Sequence, residues 1–251
     1  MKIQQIRNAT LKIIYGGLTF LVDPWLQDKG TGFSAMTVSP KMSGIKNPMN
    51  ELPISPDEII KGVDYCLVTH VHPDHFTPDY LPKGIKIIVH NDNDFRKLKE
   101  HNFENISVIK GYSTKIENVT IISTPALHGE NEQVAAKMGQ VSGYILTGEE
   151  KTLYIASDTV FYGEVETTLN KYEPDVIIVN CCEATIPLGR LIMNLNDVKS
   201  VCRLCPKATV IATHLDGVNH ALVSSDDVRQ FAIVNNLPQI IVPRNGEWIE
   251  Q

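Results

Sequence analysis

The sequence predicts an α/β protein: a four-layer αββα sandwich with two mixed β-sheets. Two observations lead there. In each half of the chain, short β-rich runs paired about glycine turns give way to an alternation of strands and helices. A unit of strand, glycine turn, strand and aspartate also occurs twice, at 10–23 and at 143–158, which suggests an internal duplication. Two such half-units, packed sheet against sheet with helices outside, give four layers and a seam between them. A composition of 43% hydrophobic and 21% charged residues supplies the core this needs, and one domain over residues 1–251 is expected.

The elements follow in order. Thr10 to Tyr15 and Leu18 to Val22 flank Gly16-Gly17, a hairpin signal, and Asp23-Pro24-Trp25 stops the second strand. From Leu26 to about Pro56 the chain is rich in Gly, Pro, Met, Ser and Asn without a period, and we read it as a flap over a site. Trp25 is a candidate to touch substrate, whereas packing is the expected role for most of Phe33, Met36, Met42 and Met49. A short helix is expected at 57–60, and the buried strand Val63 to Thr69 delivers its end to His70. Beyond it come a strand at 85–89, a helix from Asp92 to His101 capped by Asn91 or Asp92, and a strand at 106–109. The second half reads as strands at 119–124 and 144–156, the latter folded at 147–150, then a helix at 165–172 and a strand at 176–180. A helix at 195–204, a strand at 209–213, a helix from Ser224 or Ser225 to Val234 and a last strand at 239–242 complete it.

Charge and composition narrow the partners. With 23 Lys and Arg against 29 Asp and Glu the formal charge is -6, which offers no general attraction to nucleic acid or anionic membranes. No run of about 18 apolar residues and no signal-peptide pattern occurs, so a soluble, cytoplasmic protein without a membrane span is expected. A homo-oligomer is left open. The five cysteines imply no disulfide framework, and the CxxC spacing of Cys202 and Cys205 lies in an expected helix without a second pair, so it reads as structural.

Chemistry is concentrated in one short segment. Of eight histidines in 251 residues, three lie within 70–75 together with Asp74. His70 and His72, two apart at the end of an extended run, point to one side, and the turn at Pro73 lets Asp74 and His75 swing round the same point. Imidazole and carboxylate donors so gathered suit zinc, and also manganese, iron or nickel, better than calcium or magnesium. His90 and His101 have no such context and read as structural or exposed.

Thr69-His70-Val71-His72-Pro73-Asp74-His75-Phe76 resembles the HxHxDH signature of the metallo-β-lactamase superfamily. That family also places a histidine after a mid-chain strand, a bridging aspartate after a later one, and a final histidine near a C-terminal strand. His128, Asp158 and His214 stand in that order, each at an expected strand end. The resemblance implies two divalent metal ions, zinc foremost with manganese or iron as alternatives. His70, His72 and His128 would hold one, Asp74, His75 and His214 the other, and Asp158 would bridge. Less specifically, the Leu21-to-Trp25 hairpin end, the Thr124-to-Gly129 segment and the Ser157-Asp158-Thr159 turn look like the branch that includes ascorbate-6-phosphate lactonase and the N-acylphosphatidylethanolamine phospholipases.

The implied activity is hydrolysis of an ester-type bond in a small molecule, a lactone or phosphoester foremost, by a metal-bound hydroxide. Asp74 would also shuttle the proton to the leaving atom. Asp23 is expected to orient a ligand histidine from behind, or else to cap the turn before Pro24. His220 and Glu183 are candidates to meet substrate. A diiron redox role is disfavoured, since in the diiron members the second histidine of the cluster is a glutamate and here it is His72. A ligand sensor without turnover, and a nuclease or phosphodiesterase, remain as alternatives; the latter would want a basic stripe that is not visible.

Overall fold

The computed structural model describes residues Met1–Gln251. In the first half the strands are β1 (Lys2–Arg7), β2 (Thr10–Tyr15), β3 (Leu18–Val22), β4 (Tyr65–Leu67), β5 (Lys86–Val89) and β6 (Asn105–Val108). The second half adds β7 (Ser113–Ile116), β8 (Val119–Pro125), β9 (Ser142–Thr147), β10 (Leu153–Ile155) and β11 (Val176–Asn180). A small ribbon, β12 (Thr185–Ile186) with β13 (Gly189–Arg190), precedes β14 (Thr209–Thr213), β15 (Ile240–Ile241) and β16 (Trp248–Glu250). The helices are α1 (Pro56–Ile60), α2 (Asp92–Glu100), α3 (Glu132–Met138), α4 (Gly163–Tyr172), α5 (Leu195–Leu204) and α6 (Ser225–Val234). None is long and apolar enough to cross a membrane.

Two seven-stranded sheets result, ordered β16-β1-β2-β3-β4-β5-β6 and β7-β8-β9-β10-β11-β14-β15. Taken in those orders the pairings are the same. The first three junctions in each sheet are antiparallel and the last three parallel. The expected duplication is therefore present in the topology, with hairpins on one side and β–α alternation on the other.

Period-two alternation sorts the side chains. Phe20, Val22, Leu153, Ile155, Val176 and Ile178 face the seam between the sheets, where they join Leu11, Ile13, Ile121 and Leu146. Their neighbours Tyr154, Ile177 and Val179 face outward against Val165, Leu169, Val198 and Val201 of α4 and α5. On the other outer face Leu21, Cys66 and Ile87 pack with Ile59 of α1 and Leu98 of α2. Strands covered on both faces are nearly continuous apolar runs, as β11 is from Val176 to Val179 before it ends in Asn180. The Tyr144 hydroxyl crosses the seam to donate to the Val68 carbonyl at 2.8 Å.

Helix starts follow their caps. Asn91, Asn194 and Ser224 side chains accept from backbone N–H groups of the first turn, and Ser55 does so for α1. Five elements were not foreseen: β1, β7, α3, the ribbon and β16. The first, Lys2-Ile3-Gln4-Gln5-Ile6-Arg7, carries polar residues that are buried but hydrogen-bonded to backbone carbonyls, so its pattern reads as exposed when it is not. β7, the ribbon and β16 are short, and tertiary pairing rather than propensity fixes them, while α3 starts at Asn131, whose side chain accepts from the Val134 N–H.

The expected flap contains one short 3-10 turn, Pro40–Met42, and is held down at both ends. Arg7, fully buried, donates to the carbonyls of Trp25 and Gln27, both at 2.7 Å, and of Asn50 at 3.0 Å. Its guanidinium lies 5.0 Å from the Trp25 ring centroid. Asn219, also fully buried, accepts from the Ala35 N–H and the Asn47 amide at 3.0 Å, and donates to the carbonyls of Ala35 at 2.9 Å and Met42 at 3.1 Å. The Asn219 N–H donates to the Asn47 side chain at 2.8 Å.

Candidate metal centre

Every expected ligand lies just beyond a strand at one edge of the sandwich: His70 after β4, His128 after β8, Asp158 after β10 and His214 after β14. Sharp reversals at these ends turn side chains back over the edge. Asp23, Ser157, Glu183 and His214 all adopt left-handed φ, between +42° and +64°. Such positions cost a non-glycine residue about 1–3 kcal/mol and cluster at functional sites.

Three groups of donors lie within 4.8 Å of one another: His70, His72 and His128; His70, His75 and Asp158; Asp74, His75 and His214. These are the seven residues expected from the sequence and no others. One oxygen, Asp158 Oδ2, sits 3.2 Å from His75 Nε2, 3.5 Å from His128 Nε2 and 3.8 Å from His214 Nε2. Asp74 Oδ2 is 3.4 Å from His214 Nε2.

Each imidazole is tied from behind by its other nitrogen. His70 Nδ1 meets Thr69 Oγ1 at 3.0 Å, His72 Nε2 the Met138 carbonyl at 3.0 Å, and His128 Nδ1 the Leu191 carbonyl at 3.1 Å. His75 Nδ1 meets Asp23 Oδ2 at 2.8 Å, and His214 Nδ1 meets Cys182 Sγ at 3.5 Å. Asp23 is itself fixed by the Thr69 N–H and hydroxyl, both at 2.7 Å, so it orients His75 and is more than a turn cap. Backing partners of this kind set the tautomer and ring direction of metal-binding histidines.

One inward atom lacks any partner: His70 Nε2 is fully buried and makes no hydrogen bond, a state that costs about 1–3 kcal/mol, while His75 Nε2 faces only the Asp158 carboxylate at 3.2 Å. Nitrogen and carboxylate donors converging around an unpartnered nitrogen fit a divalent cation of the zinc type.

The electrostatics point the same way. Burial holds His70 well below its ordinary range, His72 down to about 4, and His128 low, leaving all three neutral. Burial alone would raise Asp74 and Asp158, but His214 and His75 hold both carboxyls low and ionised. His75 is the converse: burial lowers it, and Asp158 and Asp23 overcome that to lift it to about 10. Asp158 likewise lifts His214 well above its usual value against burial. At neutral pH the metal-free chain therefore carries protons on His75 and His214 that a cation must displace. Adding zinc to metal-free protein at pH 7 should release about two protons per chain, read with an indicator dye in weak buffer. Full loading without acidification would contradict this arrangement.

Beside these groups lies a cavity of about 240 Å³. Its lining combines the polar His72, Asp74, His128, Asp158 and His220 with the apolar Phe33, Ala35, Pro73, Met138, Ile186 and Leu191. A larger open depression of about 1020 Å³ between α2 and β6 contains none of the seven donors.

Two of the expected substrate contacts do not line this cavity. Trp25 does not reach the cavity: it is fully buried beneath it, between the Arg7 guanidinium and Phe33, whose ring centroid is 6.5 Å away, because the indole fills the space under the flap. Glu183 also does not line the cavity; its left-handed backbone sends the chain into the ribbon, and its carboxyl, pushed up by burial, sits in the field of Arg190. His90 is half-buried against the Asn91 amide and His101 caps the end of α2, as expected for residues outside the centre.

Sequence reasoning missed the outer supports. Asn180 Nδ2 donates to Asp158 Oδ1 at 2.7 Å while its Oδ1 accepts from Thr213 Oγ1 at 2.7 Å. A lone amide closing the apolar run Val176-Ile177-Ile178-Val179 was a usable signal. Asn8, in the β1–β2 turn, lies 3.2 Å from His214 Nε2 and accepts the His214 N–H through its carbonyl; nothing local in the sequence marks it.

Comparison with known proteins agrees with this geometry. Residues 19–215 match the model of the beta-lactamase superfamily domain. UPF0173 protein YddR of Bacillus subtilis (strain 168) is 36% identical over 253 residues, covering 98% of this chain and 98% of that relative. The crystal structure of isothiocyanate hydrolase from Delia radicum gut bacteria superposes with a TM-score of 0.94 at 31% identity, covering 100% of this chain and 99% of that one. A possible metal-dependent hydrolase from Veillonella parvula DSM 2008 gives 0.93 at 33% identity over 99% and 98%. With the donors, the twofold sheet plan and these likenesses together, the chain belongs to the beta-lactamase superfamily and has the metallo-β-lactamase fold.

Proposed function

We propose that this protein is a metal-dependent hydrolase of small, uncharged electrophiles bearing an apolar substituent, with isothiocyanates as the first class to test. The cavity carries the reading. Its volume, about 240 Å³, lies below the roughly 300–1,000 Å³ of drug-sized sites, and no Lys or Arg lines it to hold a phosphate. That favours a neutral substrate over the phosphoester expected from sequence, and a lactone stays compatible. The likeness to a protein described as an isothiocyanate hydrolase supports the choice within neutral substrates. The net charge of -6 gives no support to a nuclease.

His70, His72 and His128 would hold one cation, Asp74, His75 and His214 a second, with Asp158 between them; zinc is the first expectation, manganese or iron the alternatives. When bound, such ions would supply Lewis acidity and lower the pKa of water into the neutral range. Asp74, which lines the cavity, would take a proton from the attacking water and pass it to the departing atom. Phe33, Met138, Ile186 and Leu191 exclude bulk water and seat the apolar substituent.

Protein loaded with zinc or manganese is to be assayed on isothiocyanates, lactones and phosphodiesters, following loss of substrate and, for isothiocyanates, release of the primary amine. Turnover of an isothiocyanate, stopped by chelator and restored by metal, is expected. Turnover confined to phosphodiesters or lactones would replace the substrate class, and none with metal loaded would favour a ligand sensor.

A further inference from the structure

We infer that His220 is a catalytic residue that donates a hydrogen bond to the substrate heteroatom on which charge collects. The inference rests on the reading of this cavity as the hydrolytic site.

His220 lines the cavity and is only 5% exposed, yet it belongs to none of the three donor groups. Its Nδ1 is fully buried without a partner, whereas every imidazole of the donor groups is tied from behind. The main chain around it is the opposite of loose. Asn219 beside it is fully buried in the hydrogen bonds that hold the flap, and the His220 carbonyl accepts from the Thr185 N–H at 2.9 Å. Nδ1 is closed to solvent, so the nitrogen of this rigidly carried ring that is left to serve the cavity is Nε2, for which no protein group provides a partner.

The rest of the cavity leaves it no rival. Apart from the candidate metal donors, the other lining residues are Phe33, Ala35, Pro73, Met138, Ile186 and Leu191, none with a side-chain donor. In an isothiocyanate, R–N=C=S, the water oxygen bonds to the central carbon and the C=N π pair moves to nitrogen, which receives the water proton. In the resulting thiocarbamic acid, R–NH–C(=S)–OH, the second water proton moves from oxygen to nitrogen, the C–N pair leaves with nitrogen and the former O–H pair forms the new C=O bond, giving the primary amine and carbonyl sulfide. Negative charge peaks on nitrogen as the first bond forms, and a fixed N–H of His220 aimed there stabilises that state more than the neutral substrate. His220 keeps its own proton throughout.

The test compares metal-loaded native protein with His220→Leu, which lacks a donor, and His220→Gln, which retains one. For His220→Leu, kcat should fall about 100-fold with little change in KM and unchanged metal per chain, and His220→Gln should recover part of the loss. In zinc-loaded native protein the His220 ring ¹⁵N resonances should also shift with added thiocyanate ion, a readout that does not need the variants to fold. Native kcat in His220→Leu, a loss of metal from it, or no thiocyanate shift would each overturn the inference. Turnover by native protein with an unaffected His220→Leu would sink this role alone. Failure of native protein on every isothiocyanate, with the thiocyanate shift intact, would sink the substrate class and leave the donor.

Discussion

Replacing Asp158 by asparagine should strip most of the bound metal and lower hydrolysis by about 1,000-fold or more, while the chain stays folded. Outer partners of metal ligands typically cost about 10–100-fold when removed, and on our proposal Asp158 would itself be a ligand. A single oxygen, Oδ2, faces Nε2 of His75, His128 and His214 within 3.8 Å. The asparagine keeps the volume but loses the anion, so it cannot balance a cation. The same charge lifts His75 and His214, and without it those imidazoles bind protons less firmly. Zinc added to the variant should therefore release fewer protons than it does from native protein. Metal analysis of protein purified without chelator reads the first effect and the dye assay the second. Near-native metal content in Asp158→Asn would remove Asp158 from the centre.

The second large effect is on stability and lies away from the chemistry. Arg7→Met should destabilise the protein by about 3–5 kcal/mol, measured as a lowered midpoint of urea unfolding. Native domains have only about 5–15 kcal/mol in total, so much of the margin would go. The guanidinium supplies three carbonyls with hydrogens and stacks near Trp25, and removing it leaves acceptors facing apolar surroundings. No carboxylate forms an ion pair with it; burial pushes its pKa down to about 10, with Glu51 and Asp28 only partly offsetting. Its role is thus to satisfy the turn of chain that starts the flap. Arg7→Lys should recover little, because an ammonium cannot span three carbonyls as a planar fork does. A change below about 1 kcal/mol in Arg7→Met would show that water replaces the guanidinium at little cost.

The fold and the donors were legible for the same reason. A buried strand ending in His70-Val71-His72-Pro73-Asp74-His75 has no packing use for four donors, so the residues speak for themselves. His128, Asp158 and His214 were readable only through strand ends and the order that a familiar family lends them. What could not be read is whatever depends on long-range approach. Trp25 looks from sequence like an aromatic beside a site, and only the fold shows Arg7 and Phe33 enclosing it. Asn8 lies 206 positions from the histidine it supports. Strand β16 is three residues long and exists because β1 is there to pair with it.

The matched sheet orders hide an unequal division of labour. One half presents four of the candidate donors from a single six-residue loop, and the other presents three, each from a different strand end. An insertion or slip within 70–75 would take away most of the centre at once, whereas a comparable lesson in the other half is confined to one peg. If both halves descend from one ancestor, the first has become a chelating claw and the second a frame of separate posts. Sequence drift in the two should then be tolerated to very different degrees.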